Sequence, residues 1–236
     1  MNIGYFGGTF DPIHRGHLAV AQAAAKHCQL QKVLFVPADV PPHKQKVKVT
    51  PFIHRYAMVA LALAEARDNR FVPSLLESPQ QDADAVPRYS IDTVRRLKRT
   101  LASTDRLFFI VGLDSFWDIA KWREPQELLR LCEFVVISRP GYSLHDLANA
   151  LPPSLRPALL VNEKPSRRKS HRTFATSTLS LPGVTIHLVA GVEVPVSATG
   201  VRASLARPKA RAAKLEKMLP RSVAEYIRKM HLYEGE

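Results

Sequence analysis

The 236-residue sequence has no uncharged apolar run near the roughly 18 residues that a membrane-crossing helix needs. No basic stretch with an apolar core follows Met1 either. Ile3-Gly4-Tyr5-Phe6 already reads as strand, so no secretory signal is expected. Cysteine is nearly missing. Cys28 and Cys132 are the two present, far apart, in stretches that read as helix. Neither forms a Cys-x-x-Cys pair or joins a cysteine–histidine cluster, which argues against a disulfide framework and a protein-held metal. Both read as small, buried apolar residues. A soluble, cytoplasmic protein with no membrane partner is the expectation.

Acidic residues are also few. Against 21 Asp+Glu stand 34 Lys+Arg, a net charge of +13, which suits polyanionic partners such as nucleotide phosphates. Part of the excess is local: Lys164, Arg167, Arg168, Lys169 and Arg172 share one short stretch free of acids. With 46% hydrophobic residues the chain can fill a globular core.

Short apolar strands alternate with helical stretches. Strands are expected at Asn2–Phe6, Lys32–Val36, Phe71–Leu76, Leu107–Val111, Phe134–Ser138 and Val184–Val189. Helices are expected at Leu18–Lys26, Phe52–Arg67, Ser90–Leu101 and Pro125–Leu131, with Ser90 and Asp92 as cap candidates, and two helical stretches close the chain. Apolar strands separated by helices imply parallel pairing covered on both faces. The expected fold is therefore α/β, a Rossmann-like doubly wound parallel sheet in a single domain over 1–236 with a short helical C-terminal part. An irregular basic insertion is expected around 152–182, and no internal repeat is visible.

The chemistry concentrates in Gly7-Gly8-Thr9-Phe10-Asp11-Pro12-Ile13-His14-Arg15-Gly16-His17-Leu18, between the first strand and the first helix. Glycines there let backbone N–H groups approach a phosphate. His14 and His17 are three apart near a helix start, so both imidazoles can aim at one anion beside the positive helix end. The segment differs from the Gly-Lys-Ser/Thr phosphate loop and from the Gly-x-Gly-x-x-Gly dinucleotide fingerprint. Toward the other end, Ser197, Thr199 and Arg202 fit a hydroxyl-rich turn opening a helix, or a plain helix cap.

Gly-Gly-Thr-Phe-Asp-Pro-Ile-His-x-Gly-His-Leu resembles the signature of the nucleotidyltransferases related to class I aminoacyl-tRNA synthetases, and most of all that of the bacterial nicotinate-nucleotide adenylyltransferases. The resemblance spans nearly the whole chain. It includes Pro41-Pro42-His43-Lys44, Arg55-Tyr56-Ala57-Met58 and Tyr89-Ser90-Ile91-Asp92-Thr93. It continues through Val111-Gly112-Leu113-Asp114-Ser115 with Trp122, Val135 to Gly141, and Ser197-Ala198-Thr199-Gly200-Val201-Arg202. Ser90 stands where the family commonly has Thr, and the basic stretch from Lys164 to Ser180 looks longer than the usual connection.

The resemblance implies adenylyl transfer from ATP to nicotinate mononucleotide, giving deamido-NAD and pyrophosphate by direct attack. His14, His17 and Arg202 would be the catalytic groups. ATP would be bound by Gly7, Gly8, Thr9, Phe10, His14, His17, Gly112, Asp114, Ser197, Thr199 and Arg202. His43, Lys44, Tyr89, Ser90 and Trp122 would bind the nicotinate nucleotide. Asp114 would hold ribose or cap a helix; Trp122 would stack on the pyridine ring or sit in the core. Mg2+ would accompany ATP, held by phosphates and water, with no organic cofactor. Homo-oligomerisation stays open. The rival readings are the same transfer onto nicotinamide mononucleotide or phosphopantetheine, and a nucleic-acid-binding module; the last is not expected, since no nucleic-acid-binding motif is present.

Overall fold

In the computed structural model the residues described are 1–39, 49–79, 89–138, 144–156, 176–192, 195–206 and 212–234. Seven strands form one sheet in the order β3-β2-β1-β4-β5-β7-β6. They are β1 Asn2–Gly8, β2 Lys32–Pro37, β3 Phe71–Pro73, β4 Arg106–Gly112, β5 Glu133–Ser138, β6 Thr176–Leu181 and β7 Val184–Ala190. The pairings β1–β4, β2–β3, β4–β5 and β5–β7 are parallel. The order reverses between β1 and β4, the topology in which chains of this class take ligands beyond the carboxyl ends of the strands.

The chain divides into two compact units. One comprises Met1–Phe6, Val20–Lys32 and Tyr89–Glu193. Its β4 reads Arg-Leu-Phe-Phe-Ile-Val-Gly and is buried from Leu107 to Val111, as a central parallel strand covered on both faces must be. Phe109 stacks on Phe134 of β5 at 5.0 Å between centroids and takes the edge of Tyr5 from β1 at 4.7 Å. Helices α3 (Ser90–Lys98) and α5 (Pro125–Leu131) bury Ile91, Val94, Leu97, Leu128 and Leu129. Between them lies the short α4 (Leu113–Phe116); α6 (Leu144–Ala150) follows β5.

The other unit comprises Gly7–Ala19, Val33–Arg88 and Val194–Glu236. Here β2 and β3 pair, and α2 (Phe52–Ala66) presents Met58, Val59, Ala62 and Leu63 to the core. Three C-terminal helices complete it: α7 (Ala198–Leu205), α8 (Ala212–Met218) and α9 (Arg221–Lys229). Glu65 of α2 accepts the free N–H groups of Arg221 and Ser222 at 3.0 and 2.8 Å, closing the start of α9 from outside that helix. Helix α1 (Arg15–His27) begins in this unit and ends in the first.

Several sequence expectations change. Thr176–Leu181, inside the stretch read as an irregular insertion, is a strand, and it pairs antiparallel with β7. Its Thr-Ser-Thr-Leu-Ser-Leu sequence has Leu179 as the one buried side chain, the profile of an edge strand with little apolar signal. Helix α6 is an addition to the expected elements, and among the described residues three helices, not two, follow β7. Tyr89, not Ser90 or Asp92, is the N-cap of α3, and no side chain caps it.

Candidate functional site

The loop from Gly7 to His17 is held by packing below and by hydrogen bonds from distant residues. Phe10 is buried, its ring 5.9 Å from Phe35 and edge-on to His17 at 5.0 Å between centroids. A side chain at Gly8 would meet the Phe10 ring at 3.1 Å, so the second glycine leaves this aromatic floor its place. The His14 carbonyl accepts the His17 N–H at 2.9 Å and opens α1.

His14 and His17 stack, with ring centroids 3.7 Å apart and planes inclined by 21°. The His14 backbone N–H donates to His17 Nδ1 at 3.2 Å. Nδ1 is thereby the acceptor of the neutral ring, and the proton sits on Nε2, the donor end. His14 is only 6% exposed, and its Nδ1 meets no hydrogen-bond partner among the described residues. Burial lowers its pKa from 6.5 to about 4, so its ring is neutral at physiological pH. Gly16 makes room for the pair: a Cβ there would lie 2.9 Å from His14 Nδ1 and 3.4 Å from the Val196 carbonyl.

That Val196 contact brings in the C-terminal part of the unit. Arg202 of α7 donates from Nη1 to the Asp11 carbonyl at 2.6 Å, so its guanidinium lies on the Gly7–His17 loop. Ser197 is the N-cap of α7; its Oγ accepts the Gly200 N–H at 3.1 Å. The cap reading of Ser197 is therefore realised. Ser197 and Thr199 are exposed, and Arg202 is half-buried.

Three residues that sequence reading gave no role shape the loop. Asp11 is buried; its carboxylate accepts the Tyr233 hydroxyl at 2.6 Å and the Thr50 N–H at 3.4 Å. Burial and the facing carboxylate push the Tyr233 phenol well above its ordinary range, so it stays a donor. Arg55, 1% exposed, gives its hydrogen bonds to main-chain oxygen among the described residues. It reaches Thr50 at 2.7 Å, Thr9 at 2.8 Å, Ala38 at 2.6 Å and Asp39 at 3.1 Å. A sign of this was legible, since Arg55 shares a helical face with Met58, Val59, Ala62 and Leu63, all buried.

The remaining described candidates lie in the first unit. Gly112 is the N-cap of α4, and a Cβ on it would meet nothing within 4 Å. Asp114 is exposed in the first turn of α4 and is not its N-cap, which removes the capping alternative. Trp122 is half-buried, 5.8 Å from Phe109 between ring centroids. The Arg123 guanidinium lies 4.8 Å from the Tyr89 ring centroid, a cation over that aromatic which the sequence did not single out. Ser90 opens α3. His43, Lys44 and the basic run from Lys164 to Arg172 fall outside the described residues. Cys28, expected to stand apart from any histidine cluster, lies beside His27 and His187. His187 comes from a distant strand, which local spacing cannot reveal.

A family model described as cytidylyltransferase-like matches residues 5–204. A protein of Citrifermentans bemidjiense named "Probable nicotinate-nucleotide adenylyltransferase" is 36% identical, with 99% of this chain and 98% of that protein covered. One of the same name from Solibacter usitatus is 34% identical, covering 99% of this chain and 100% of its own. Among solved structures, Plasmodium falciparum nicotinic acid mononucleotide adenylyltransferase complexed with NaAD aligns with a TM-score of 0.65 at 18% identity, covering 98% and 97% of the two chains. That likeness bears on the fold. This chain belongs to the cytidylyltransferase-like family and groups with the nicotinate-nucleotide adenylyltransferases within it.

Proposed function

We propose that this member of the cytidylyltransferase-like family transfers the adenylyl group of ATP to nicotinate mononucleotide, forming deamido-NAD and pyrophosphate. The phosphate oxygen of the mononucleotide attacks the α-phosphorus of ATP in line. One P–O bond forms as the bond to the β-phosphate oxygen breaks, and pyrophosphate leaves with its electron pair. The nucleophile is already an anion, so no general base is required. Catalysis reduces to positioning and to neutralising charge on the phosphoryl oxygens.

The observation that carries this reading is the stacked His14–His17 pair, with the Arg202 guanidinium on the same loop. In our reading the His17 Nε2–H and the His14 ring donate to the α- and β-phosphate oxygens as charge builds there. Gly7, Gly8 and Thr9 line the α-phosphate with backbone groups, and Phe10 supports them from beneath. Arg202, whose Nη1 is taken by the Asp11 carbonyl, offers its remaining N–H groups to the β- and γ-phosphates, with Ser197 and Thr199 beside it. Asp114 accepts from ribose hydroxyls, and the open space over Gly112 admits the adenosine part. Trp122 stacks on the pyridine ring, and Tyr89, Ser90, His43 and Lys44 serve the nicotinate nucleotide. Mg2+ would accompany ATP, held by phosphate oxygens and water. The chain acts as one nucleotidyltransferase domain in the cytoplasm. The described residues contain no helix long and apolar enough to cross a membrane.

The test follows pyrophosphate release with ATP and nicotinate mononucleotide, with nicotinamide mononucleotide and phosphopantetheine in parallel. Turnover with the first acceptor, well above the other two, is expected. Equal or better turnover with either rival acceptor overturns the substrate assignment, and no release with any of them overturns the reaction.

A further inference from the structure

We propose that His27, Cys28 and His187 form a binding site for one late first-row divalent cation of the zinc class, with the Glu133 carboxylate beside it. His27 is the last residue of α1, Cys28 follows it directly, and His187 projects from β7. One nitrogen of each histidine and the Cys28 sulfur all lie within 4.8 Å of one another. The two rings approach to 5.8 Å between centroids at 69°, an inclined arrangement rather than a stack. Around tetrahedral zinc, with bonds of about 2.0–2.3 Å, ligand atoms stand about 3.5 Å apart. Closure of about 1 Å, with one of the two present partners of the His187 ring nitrogens giving way, therefore converts the present arrangement into a coordination shell.

The surroundings suit a cation. Glu133 Oε2 lies 2.9 Å from His187 Nε2, and Thr178 Oγ1 lies 3.2 Å from His187 Nδ1. A carboxylate on a histidine is the arrangement that orients metal-binding imidazoles and raises their basicity. Arg106 holds the same carboxylate with two hydrogen bonds of 2.8 Å, fixing its place. Cys28 and His27 stand at the negative end of the α1 dipole. The turn is tied down there by the Cys28 N–H to the Ala24 carbonyl at 2.9 Å, and by Asn2 Nδ2 to the Cys28 carbonyl at 2.9 Å.

Two imidazoles and a thiolate select zinc, cobalt, nickel or copper over magnesium or calcium, which prefer all-oxygen shells. The ligand form of Cys28 is the thiolate. Coordination replaces the S–H bond by an S–metal bond and releases that proton to solvent; nothing is oxidised or reduced. None of these groups belongs to the phosphate chemistry proposed above, so either reading can fail alone.

The test uses the full chain, stripped with a chelator and titrated with Co2+, then with Zn2+. Wild type is expected to bind one equivalent of Co2+, with near-ultraviolet thiolate-to-cobalt absorption and intense visible bands of a four-coordinate ion. Zn2+ should displace the cobalt and raise the thermal midpoint. Cys28→Ser and His27→Gln should lose both responses, and Cys132→Ser should keep them. Metal-free melts establish that the variants fold; His27 is half-buried at a helix end, so His27→Gln carries the test if Cys28→Ser does not fold. Absence of the sulfur band in wild type overturns the site, as does a band that survives in His27→Gln or a folded Cys28→Ser.

Discussion

Lowering the pH should destabilise this protein through His14 alone by on the order of 3 kcal/mol, and a non-titrating residue at that position should abolish the effect. Burial lowers the His14 pKa from 6.5 to about 4. As pH falls, the unfolded chain binds its proton first, near 6.5, while the native ring stays neutral until about 4. The unfolded state therefore holds more protons throughout that window, and stability rises with pH across it. The contribution is full above 6.5, is lost progressively below it, and changes no further once the native ring protonates near 4. At about 1.4 kcal/mol per pKa unit, integration over the interval gives about 3 kcal/mol. Urea denaturation of wild type and His14→Asn at constant ionic strength, stepped from pH 7 to pH 4, isolates this term, because every other titrating group cancels in the difference. The two stabilities should converge, or cross, by that amount. Parallel curves would show that His14 is not held neutral by burial.

Gly16→Ala should set two effects against each other. Alanine favours the helix by up to about 1 kcal/mol, yet its methyl would press on His14 Nδ1 at 2.9 Å. Stability should change little while kcat/KM falls by about tenfold or more; activity within twofold of wild type would mean the stacking geometry is not needed. His17→Ala should cut turnover by on the order of 10²–10⁴-fold with the fold intact, as loss of a preorganised donor does; circular dichroism alongside pyrophosphate release checks both. Arg202→Ala should chiefly raise the KM for ATP, and an unchanged ATP dependence would contradict the triphosphate role. Tyr233→Phe should cost about 1.5–3 kcal/mol in urea melts, the worth of a hydrogen bond to a charged group; a loss under about 0.5 kcal/mol would mean that water or another donor replaces the hydroxyl on Asp11.

The sequence revealed what depended on local pattern. The apolar runs at Leu107–Val111 and Phe134–Ser138 announce buried parallel strands because they are short and rich in aromatic and β-branched side chains. The pairing of His14 with His17 was legible because the two histidines are close in the chain. Thr176–Leu181 escaped because an exposed edge strand is specified by its neighbour more than by its own side chains. Arg55 escaped for a different reason. A charge within a helix ordinarily faces water, and its carbonyl partners on Thr9, Ala38, Asp39 and Thr50 carry no side-chain signature. Asp11 and Tyr233 meet across 222 positions, as His27 and His187 meet across the sheet unit, and no spacing rule reaches that far.

Among the described residues the Arg55 guanidinium gives its hydrogen bonds to peptide oxygen, and every amino acid displays the same peptide oxygen. The four positions it grips can therefore drift in identity over generations without loosening the grip, whereas position 55 itself has no substitute, since lysine cannot span the same fork. Variation in this part of the molecule should accumulate around a fixed arginine, and a library randomised at 9, 38, 39, 50 and 55 should recover folded clones with one invariant column.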